Sequence, residues 1–261
     1  MATLRVVTWN VRAAIGPGDF PGTWWRRPDD QRLRAIAAVL DTLDADVSGL
    51  QECAVLTVDG ARHDTAGQVA AELGVTHRFA ATRHFAIVED DGRVSGSGLF
   101  GNALLSRLDI GPSRTLALPM APADACVEPA GAQLPLAGVR YTDAPDGVRE
   151  PRCLLSASVG RATIGVTHLS HVGSGERALQ ASAVGAALAG ARAVVLGDLN
   201  APIESDELLR SATDGPMRSR VPACRRVILG ASRQRTARAS TTSSSAGSRW
   251  WPAAASRRPA G

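Results

Sequence analysis

The segment AVVLGDLN (193–200) is the stretch on which the fold prediction rests. Its apolar, β-branched beginning is typical of a buried strand, and the preceding segment GERALQASAVGAALAG (175–190) is predicted to be a helix. The strand ends in two polar side chains, Asp198 and Asn200. Groups that bind and react commonly stand at such strand ends, because a rigid scaffold fixes them while they still meet solvent.

Three other predicted strands carry polar residues at their ends in the same way. They are LRVVTWNV (4–11) with Asn10, DVSGLQE (46–52) with Glu52, and ATIGVTHL (162–169) with His168. Each residue alone has an ordinary structural explanation, such as a turn, a helix cap or a hydrogen-bonded core histidine. The repeated placement is harder to explain that way, and we expect these side chains to share one site.

The rest of the chain predicts more strands than helices. One helix is expected at 29–43, where Pro28 and Asp29 are start signals, and further strands are expected at 84–90, 102–106 and 152–159. The Pro-, Ala-, Gly- and Asp-rich segment 112–150 predicts loops at a sheet edge. Strands that follow one another with few helices between them favour an α+β arrangement within the α/β class.

Length and composition favour one large domain. A chain of 261 residues with 44% hydrophobic content can bury a sizeable core. It has no apolar run of the roughly 18 residues that a membrane span needs, and no secretory signal pattern. We therefore expect a soluble, cytoplasmic protein without a membrane span or an evident obligate protein partner. The four cysteines form no Cys-x-x-Cys pair, so reduced thiols are expected.

The candidate site combines carboxylates, carboxamides and one imidazole. Oxygen-rich ligands of this kind suit a hard cation such as Mg²⁺ or Mn²⁺, whereas the shortage of His and Cys disfavours Zn²⁺. The candidate residues are Asn10, Glu52, His168, Asp198 and Asn200.

The ordered motifs resemble a known family. Trp9-Asn10-Val11-Arg12, Leu50-Gln51-Glu52, Gly101-Asn102-Ala103-Leu104-Leu105-Ser106, Thr167-His168-Leu169 and Gly197-Asp198-Leu199-Asn200-Ala201 are similar to those of the endonuclease/exonuclease/phosphatase superfamily, whose fold is DNase I-like. The resemblance covers roughly residues 4–214. It implies a four-layered sandwich of two packed β-sheets flanked by helices, with the site at one end.

The same resemblance implies metal-dependent hydrolysis of phosphoesters. Glu52 would bind Mg²⁺ with Asn10 beside it. Asp198 would orient or deprotonate the attacking water, Asn200 would hold a phosphate oxygen, and His168 would donate a hydrogen bond to the phosphate. The implied substrate is a phosphate ester, either a small molecule, a phospholipid headgroup or a nucleic acid.

The end of the chain departs from the family pattern. Family members carry an apolar strand with Asp-His and then a Ser-Asp-His near the C-terminus, whereas the last histidine here is His171. In the frame that joins the third base of each codon to the first two bases of the next, Ser (TCN) becomes apolar and Thr (ACN) becomes Asp, His, Asn or Tyr. With GC-rich codons, residues 239–248 then regroup to Val-Asp-His-Val-Leu-Val-Arg-Gly-Leu, the missing strand.

We therefore predict a frameshift near residues 214–217, natural or from sequencing. Residues 1–214 would be an incomplete domain that lacks its last strands, and residues 215–261 an out-of-frame or disordered tail. The tail has ten arginines and no acidic residue, which leaves 19 arginines and 25 acidic residues, a net charge of −6, in residues 1–214. Reading GC-rich DNA out of frame explains these arginines, and the missing Asp-His motif implies that this chain is inactive or nearly so.

Two alternatives belong to other classes. The chain could be a non-catalytic binding protein whose Arg-rich tail contacts nucleic acid or another polyanion. It could also belong to another class of metallophosphoesterase with a dinuclear site. That class needs several histidines, and the second half of the chain has only His168 and His171.

Overall fold

The structure is a computed structural model. It describes residues 4–14, 29–89, 91–120, 150–171, 173–202 and 205, and the backbone of 139–141. The α-helices are α1 (Asp30–Thr42), α2 (Thr65–Leu73) and α3 (Ser174–Ala187), and a single turn spans Arg12–Ala14. The strands are β1 (Val6–Asn10), β2 (Val47–Val58), β3 (Ala61–Asp64), β4 (Thr76–Val88), β5 (Val94–Ser106), β6 (Ile110–Ala117), β7 (Val139–Tyr141), β8 (Cys153–Val159), β9 (Ala162–His168) and β10 (Ala193–Asp198).

The strands form two sheets. The six-stranded sheet has the order β1-β2-β5-β4-β7, with β3 paired to β2, and the four-stranded sheet has the order β10-β9-β8-β6. Two neighbouring pairs are parallel, β1 with β2 and β9 with β10. The ends of β9 and β10 therefore lie side by side, and the end of β1 lies beside Gln51 in the middle of β2.

Apolar contacts stack these elements in four layers. Helices α1 and α2 pack on the outer face of the six-stranded sheet, where Leu33, Leu40 and Leu50 are buried. The two sheets face each other across a core that contains Leu155 and Ile164. Helix α3 covers the outer face of the four-stranded sheet with Ala181, Val184 and Leu188. The predicted mixed α/β sandwich of two packed sheets flanked by helices is confirmed.

Local signals explain where α1 and α2 begin. The Asp29 carboxylate accepts a hydrogen bond from the Gln31 backbone N–H at 2.8 Å, and the Asp64 carboxylate accepts one from the Gly67 N–H at 2.8 Å. Such caps satisfy N–H groups that have no partner within the helix. Helix α2 ends at Gly74, whose φ of 64° is left-handed and favours glycine.

The structure corrects two sequence predictions and adds one helix. The loop predicted over 112–150 contains most of β6, and β7 also lies within it. Strand β6 is largely exposed and pairs with β8 at a sheet edge, so its sequence lacks the apolar alternation of a half-buried strand. The strand predicted to end at Glu52 continues to Val58. Helix α2 was not predicted from the sequence.

Other predictions can be compared only where the chain is described. The cysteines Cys53 and Cys153 are free and buried, as expected, and burial raises the pKa of the Cys153 thiol to about 11. Cys126, Cys224 and the tail 215–261 lie outside the described residues. No helix among the described residues is long and apolar enough to cross a membrane.

Gly101 lies where β4 and β5 approach too closely for a side chain. A Cβ added there would stand 2.0 Å from the Ala80 backbone oxygen, which cannot rotate away. We expect Gly101→Ala to lower the free energy of unfolding by about 3 kcal/mol, at the upper end of overpacking costs. Gly111→Ala is the matched control, because its nearest contact would be an ordinary 3.4 Å. Urea denaturation measures both variants, and equal losses would contradict the steric explanation.

Candidate active site

The two parallel strand pairs bring the candidate residues to one end of the sandwich. In the six-stranded sheet, Asn10 at the end of β1 lies opposite Gln51 of β2. In the four-stranded sheet, Asp198 at the end of β10 lies opposite His168 at the end of β9. The Asn10 Nδ2 atom donates to Asp198 Oδ2 at 3.1 Å and so joins the two sheets directly.

A β-bulge places Glu52 at this site although it lies in the middle of β2. The pairing of β2 with β5 shifts between Leu50 and Cys53, so that two residues of β2 stand opposite Asn102 alone. Glu52 adopts a φ of 57°, a left-handed conformation that is unusual for a glutamate. Bulges re-aim side chains and are frequent beside active sites. The bulge and this strained conformation therefore turn the Glu52 carboxylate toward Asn10.

The Asn10 carboxamide lies between two carboxylates. Its Nδ2 atom donates to Glu52 Oε1 at 2.6 Å as well as to Asp198. Its Oδ1 atom accepts from the Arg12 backbone N–H at 3.1 Å, which fixes the amide plane. The structure thus shows two acidic groups from different sheets held around one carboxamide.

His168 and Asn200 complete the cluster. His168 Nε2 lies 3.9 Å from Asp198 Oδ2, and Nδ1 lies 4.0 Å from Glu52 Oε1. Asn200 Nδ2 lies 3.0 Å from His168 Nε2 and donates to the Leu169 carbonyl at 2.9 Å. With the amide in this orientation Nε2 accepts, so the proton of a neutral ring is on Nδ1. All five sequence-predicted site residues therefore lie together.

The Glu52 carboxylate occupies an unfavourable site without a cation. Burial raises its pKa above the ordinary value of 4.5, the negative charges of Glu150 and Asp198 raise it further, and the Asn10 hydrogen bond and Arg152 lower it. A nearby divalent cation would reverse this penalty. Carboxylate and carboxamide oxygens are the ligands that Mg²⁺ and Mn²⁺ prefer, so the residues present fit such an ion.

The donor set is small. Among the residues that the structure describes, no group of three or more His, Cys, Asp or Glu side chains is arranged to hold a metal. Mg²⁺ usually takes one or two protein carboxylates and keeps waters or substrate oxygens in its other positions. Glu52 supplies one such carboxylate, with Asn10 beside it.

His168 is held in its neutral form. Burial lowers its pKa well below 6.5, and the positive charge of Arg152 and the neighbouring His171 lower it further. A neutral imidazole at physiological pH keeps one N–H donor and adds no charge of its own. That N–H can donate a hydrogen bond to an anionic substrate.

These two pKa shifts predict how the stability of the metal-free protein depends on pH. Glu52 has a raised pKa, so its contribution is fully present below about 4.5 and is lost as pH rises through the raised value. His168 has a lowered pKa, so its contribution is present above 6.5 and is lost as pH falls below that value. We expect Glu52→Gln to raise the melting temperature in EDTA at pH 7–8. It should also remove the loss of stability that the wild type shows as pH rises through the raised pKa of Glu52.

Exposed Glu72 on α2 supplies the matched control for that measurement. Glu72→Gln should melt like the wild type at every pH from 4.5 to 8, and His168→Gln should lose only the acidic decline. If Glu52→Gln kept the alkaline loss of stability, another group would have to be responsible for it.

The structure adds residues that were not predicted from the sequence. Buried Gln180 of α3 accepts from the Ser170 backbone N–H at 2.8 Å, which fixes the chain two residues after His168. Glu150 and Arg152 stand just before β8, close enough for their charges to act on Glu52. Arg152 opens the predicted strand 152–159, so the rule that polar residues mark strand ends could have found it. Nothing in the sequence singles out Gln180.

Comparison with known proteins shows the family. The sequence matches the model of the Endonuclease/Exonuclease/phosphatase family over residues 7–260. The chain belongs to the endonuclease/exonuclease/phosphatase family. A family member from Beutenbergia cavernae DSM 12333 is 27% identical, with 76% of this chain and 47% of that chain covered and a TM-score of 0.50. The chain thus spans about half of that protein.

Other solved structures are more distant. The mannosyl-6-phosphatase Bt3783 of Bacteroides thetaiotaomicron VPI-5482 is 19% identical over 79% of this chain and 68% of its own, with a TM-score of 0.46. The human Nocturnin catalytic domain with bound sulfate is 19% identical over 81% of this chain and 70% of its own, with a TM-score of 0.47. No curated protein matches the chain.

Proposed function

We propose that the site is that of a metal-dependent phosphoesterase and that the chain in its present form turns over little or no substrate. The observation that carries this proposal is the convergence of Asn10, Glu52, His168, Asp198 and Asn200 from four strands of two sheets. Family membership supports phosphoester chemistry as its general class.

The residues divide the work as follows. Glu52 and Asn10 would hold Mg²⁺ or Mn²⁺, which when bound supplies positive charge to the scissile phosphate. Asp198 lies within 4 Å of His168 and next to Asn10, where its carboxylate can orient a water or take its proton. The Nδ1–H of neutral His168 would donate to a phosphate oxygen.

For Asn200 we propose a role different from the one that the family resemblance implies. Both hydrogens of its amide are directed to protein acceptors, His168 Nε2 and the Leu169 carbonyl. We therefore propose that Asn200 positions the imidazole and fixes its tautomer, and that it does not itself bind a phosphate oxygen. Its φ of 49° and the bond from its N–H to Asp198 Oδ1 at 3.2 Å fix that position.

The test is hydrolysis of p-nitrophenyl phosphate and bis(p-nitrophenyl) phosphate with Mg²⁺, Mn²⁺ or EDTA. It is applied to the present chain and to a chain whose reading frame is restored between codons 214 and 217. The proposal predicts metal-dependent turnover in the restored chain and little in the present one. Turnover in neither chain, with the restored chain folded, would overturn it.

A further inference from the structure

Four ionisable side chains form a second cluster beside the candidate active site. In this arginine cluster, Glu150 Oε1 lies 3.4 Å from Arg83 Nη1, and Glu150 Oε2 lies 2.7 Å from Arg152 Nη2. Arg152 Nη2 also lies 3.2 Å from His171 Nδ1. The arginine side chains are 2% and 5% exposed, while 21% of the Glu150 side chain is exposed. The cluster therefore places two buried guanidiniums behind one partly exposed carboxylate.

A β-bulge in β4 positions Arg83 in the arginine cluster. Arg83 follows a second bulge, where the pairing of β4 with β5 shifts between Ala81 and Arg83. This shift in β4 lies opposite Gly101 of β5. The neighbouring residue of β5, Asn102, lies opposite the β2 bulge that turns Glu52. Two strands that flank β5 thus bulge at the same level, one presenting the metal-site carboxylate and the other a buried guanidinium.

Arg152 is held by its neighbour Cys153. The Cys153 carbonyl accepts from Asn102 Nδ2 at 3.2 Å and from Thr167 Oγ1 at 3.0 Å. Asn102 belongs to the six-stranded sheet, and Thr167 precedes His168 in the other sheet. Arg152 is therefore anchored at the junction of the sheets, and its positive charge acts on both Glu52 and His168.

Charge counting indicates what the cluster is for. With all three carboxyl groups ionised, Glu52, Asp198 and Glu150 carry three negative charges, and Arg83 and Arg152 carry two positive charges. A divalent cation at Glu52 would change the local sum from −1 to +1. An anion would then compensate the excess, and guanidinium pairs are well suited to bind phosphoryl oxygens.

The position of Glu150 shows how such an anion would be held. Its two oxygens bridge the two guanidiniums, as two oxygens of a phosphoryl group would. We propose that Arg83 and Arg152 form an anion subsite for a phosphoryl group of the substrate, and that Glu150 is the internal anion which the substrate replaces. The inference rests on the proposed function, since the same phosphoryl group would face the cation site.

The test removes either a positive or a negative charge from the arginine cluster and compares the two effects on phosphate binding. Binding of inorganic phosphate to the full chain is measured by calorimetry with Mg²⁺ at constant ionic strength. Arg152→Gln should weaken phosphate binding roughly tenfold, as expected for a lost charged hydrogen bond. Glu150→Gln should tighten it roughly threefold or more, because it removes the competing internal anion. Exposed Arg114 of β6 provides the control Arg114→Gln, which should bind phosphate like the wild type.

A scaffold role predicts a different pattern. If the cluster only holds the sheets together, Glu150→Gln and Arg152→Gln should both weaken phosphate binding, and that result would overturn the proposal, as would no change in either. If Arg152→Gln gave no melting transition, Arg83→Gln would replace it, and tightening in Glu150→Gln would still be required. Mn²⁺ titration of each variant distinguishes failure of the subsite from failure of the proposed function. A wild type that binds no Mn²⁺ contradicts the proposed function. Normal Mn²⁺ binding, without weaker phosphate binding in Arg152→Gln and tighter phosphate binding in Glu150→Gln, contradicts only the subsite.

Discussion

Insertion of one base between codons 214 and 217 should raise metal-dependent phosphoester turnover by roughly 10²–10⁴-fold, the usual contribution of a general acid or base. With GC-rich codons, the restored frame would encode Val-Asp-His-Val-Leu-Val in place of residues 240–245. Continued downstream, it should supply the Asp-His pair that the present chain lacks. The described residues already hold the other side chains in contact, so the gain would come from the added group.

The control for this gain is a base inserted after codon 251, downstream of the strand. That gene keeps the present residues 240–245 and should show no increase in turnover. Equal, Asp198-dependent turnover from the present and the restored chains would contradict the prediction, because it would show that the downstream motif is dispensable. Sequencing of codons 205–261 in the source DNA decides independently whether the base is missing from the gene itself or was omitted by a sequencing error.

Asp198→Asn in the restored chain should lower turnover by roughly 10²–10⁴-fold while Mn²⁺ affinity changes by less than about tenfold. The substitution keeps the shape of the side chain and the acceptor for the Asn200 N–H. It removes the ability to take a proton from water and also the Oδ2 acceptor for Asn10 Nδ2. A residue that mainly held the metal would instead lose Mn²⁺ binding and turnover together.

Asp109 provides the matched control for that substitution. It is an exposed aspartate before β6, away from the cluster, and Asp109→Asn should leave both turnover and Mn²⁺ binding unchanged. If Asp198→Asn retained more than a tenth of the turnover, the general base would have to be sought among other groups.

The sequence pattern was sufficient for the layers of the fold but not for its strand ends. Runs such as 162–169 and 193–200 signalled buried strands because they are apolar on both faces, and the structure covers both faces. Strand β2 was predicted too short because Gln51-Glu52 resembles the polar end of a strand, whereas it is a bulge inside one. Strand β6 gave no signal because its side chains face solvent and its stability comes from pairing with β8.

Some residues of the site and its surroundings could be predicted from the sequence, and others could not. Asn10, His168, Asp198 and Asn200 follow or end strands and could be found from sequence order, since strand ends gather at sheet edges. Arg83 could not, because it lies within an ordinary strand and only the bulge before it turns its side chain inward. Register shifts depend on pairing between distant segments, which a local pattern does not contain.

The origin of the tail remains a separate prediction. The family match runs to residue 260 and thus includes 215–260, while the described site lies entirely within residues 4–202. Family membership and the site geometry therefore hold whichever way the tail arose. The frameshift prediction concerns only whether the last motif of the family is encoded.

The most direct measurement of the central claim is Mn²⁺ titration of the full chain, followed by the paramagnetic signal of free Mn²⁺. A metal-dependent phosphoesterase site predicts one Mn²⁺ bound per chain and a loss of affinity of roughly 100-fold or more in Glu52→Gln, since the substitution removes the charged ligand. The control Glu72→Gln should bind like the wild type. Stoichiometric Mn²⁺ binding that Glu52→Gln left unchanged, or no binding by the folded wild type, would contradict the claim.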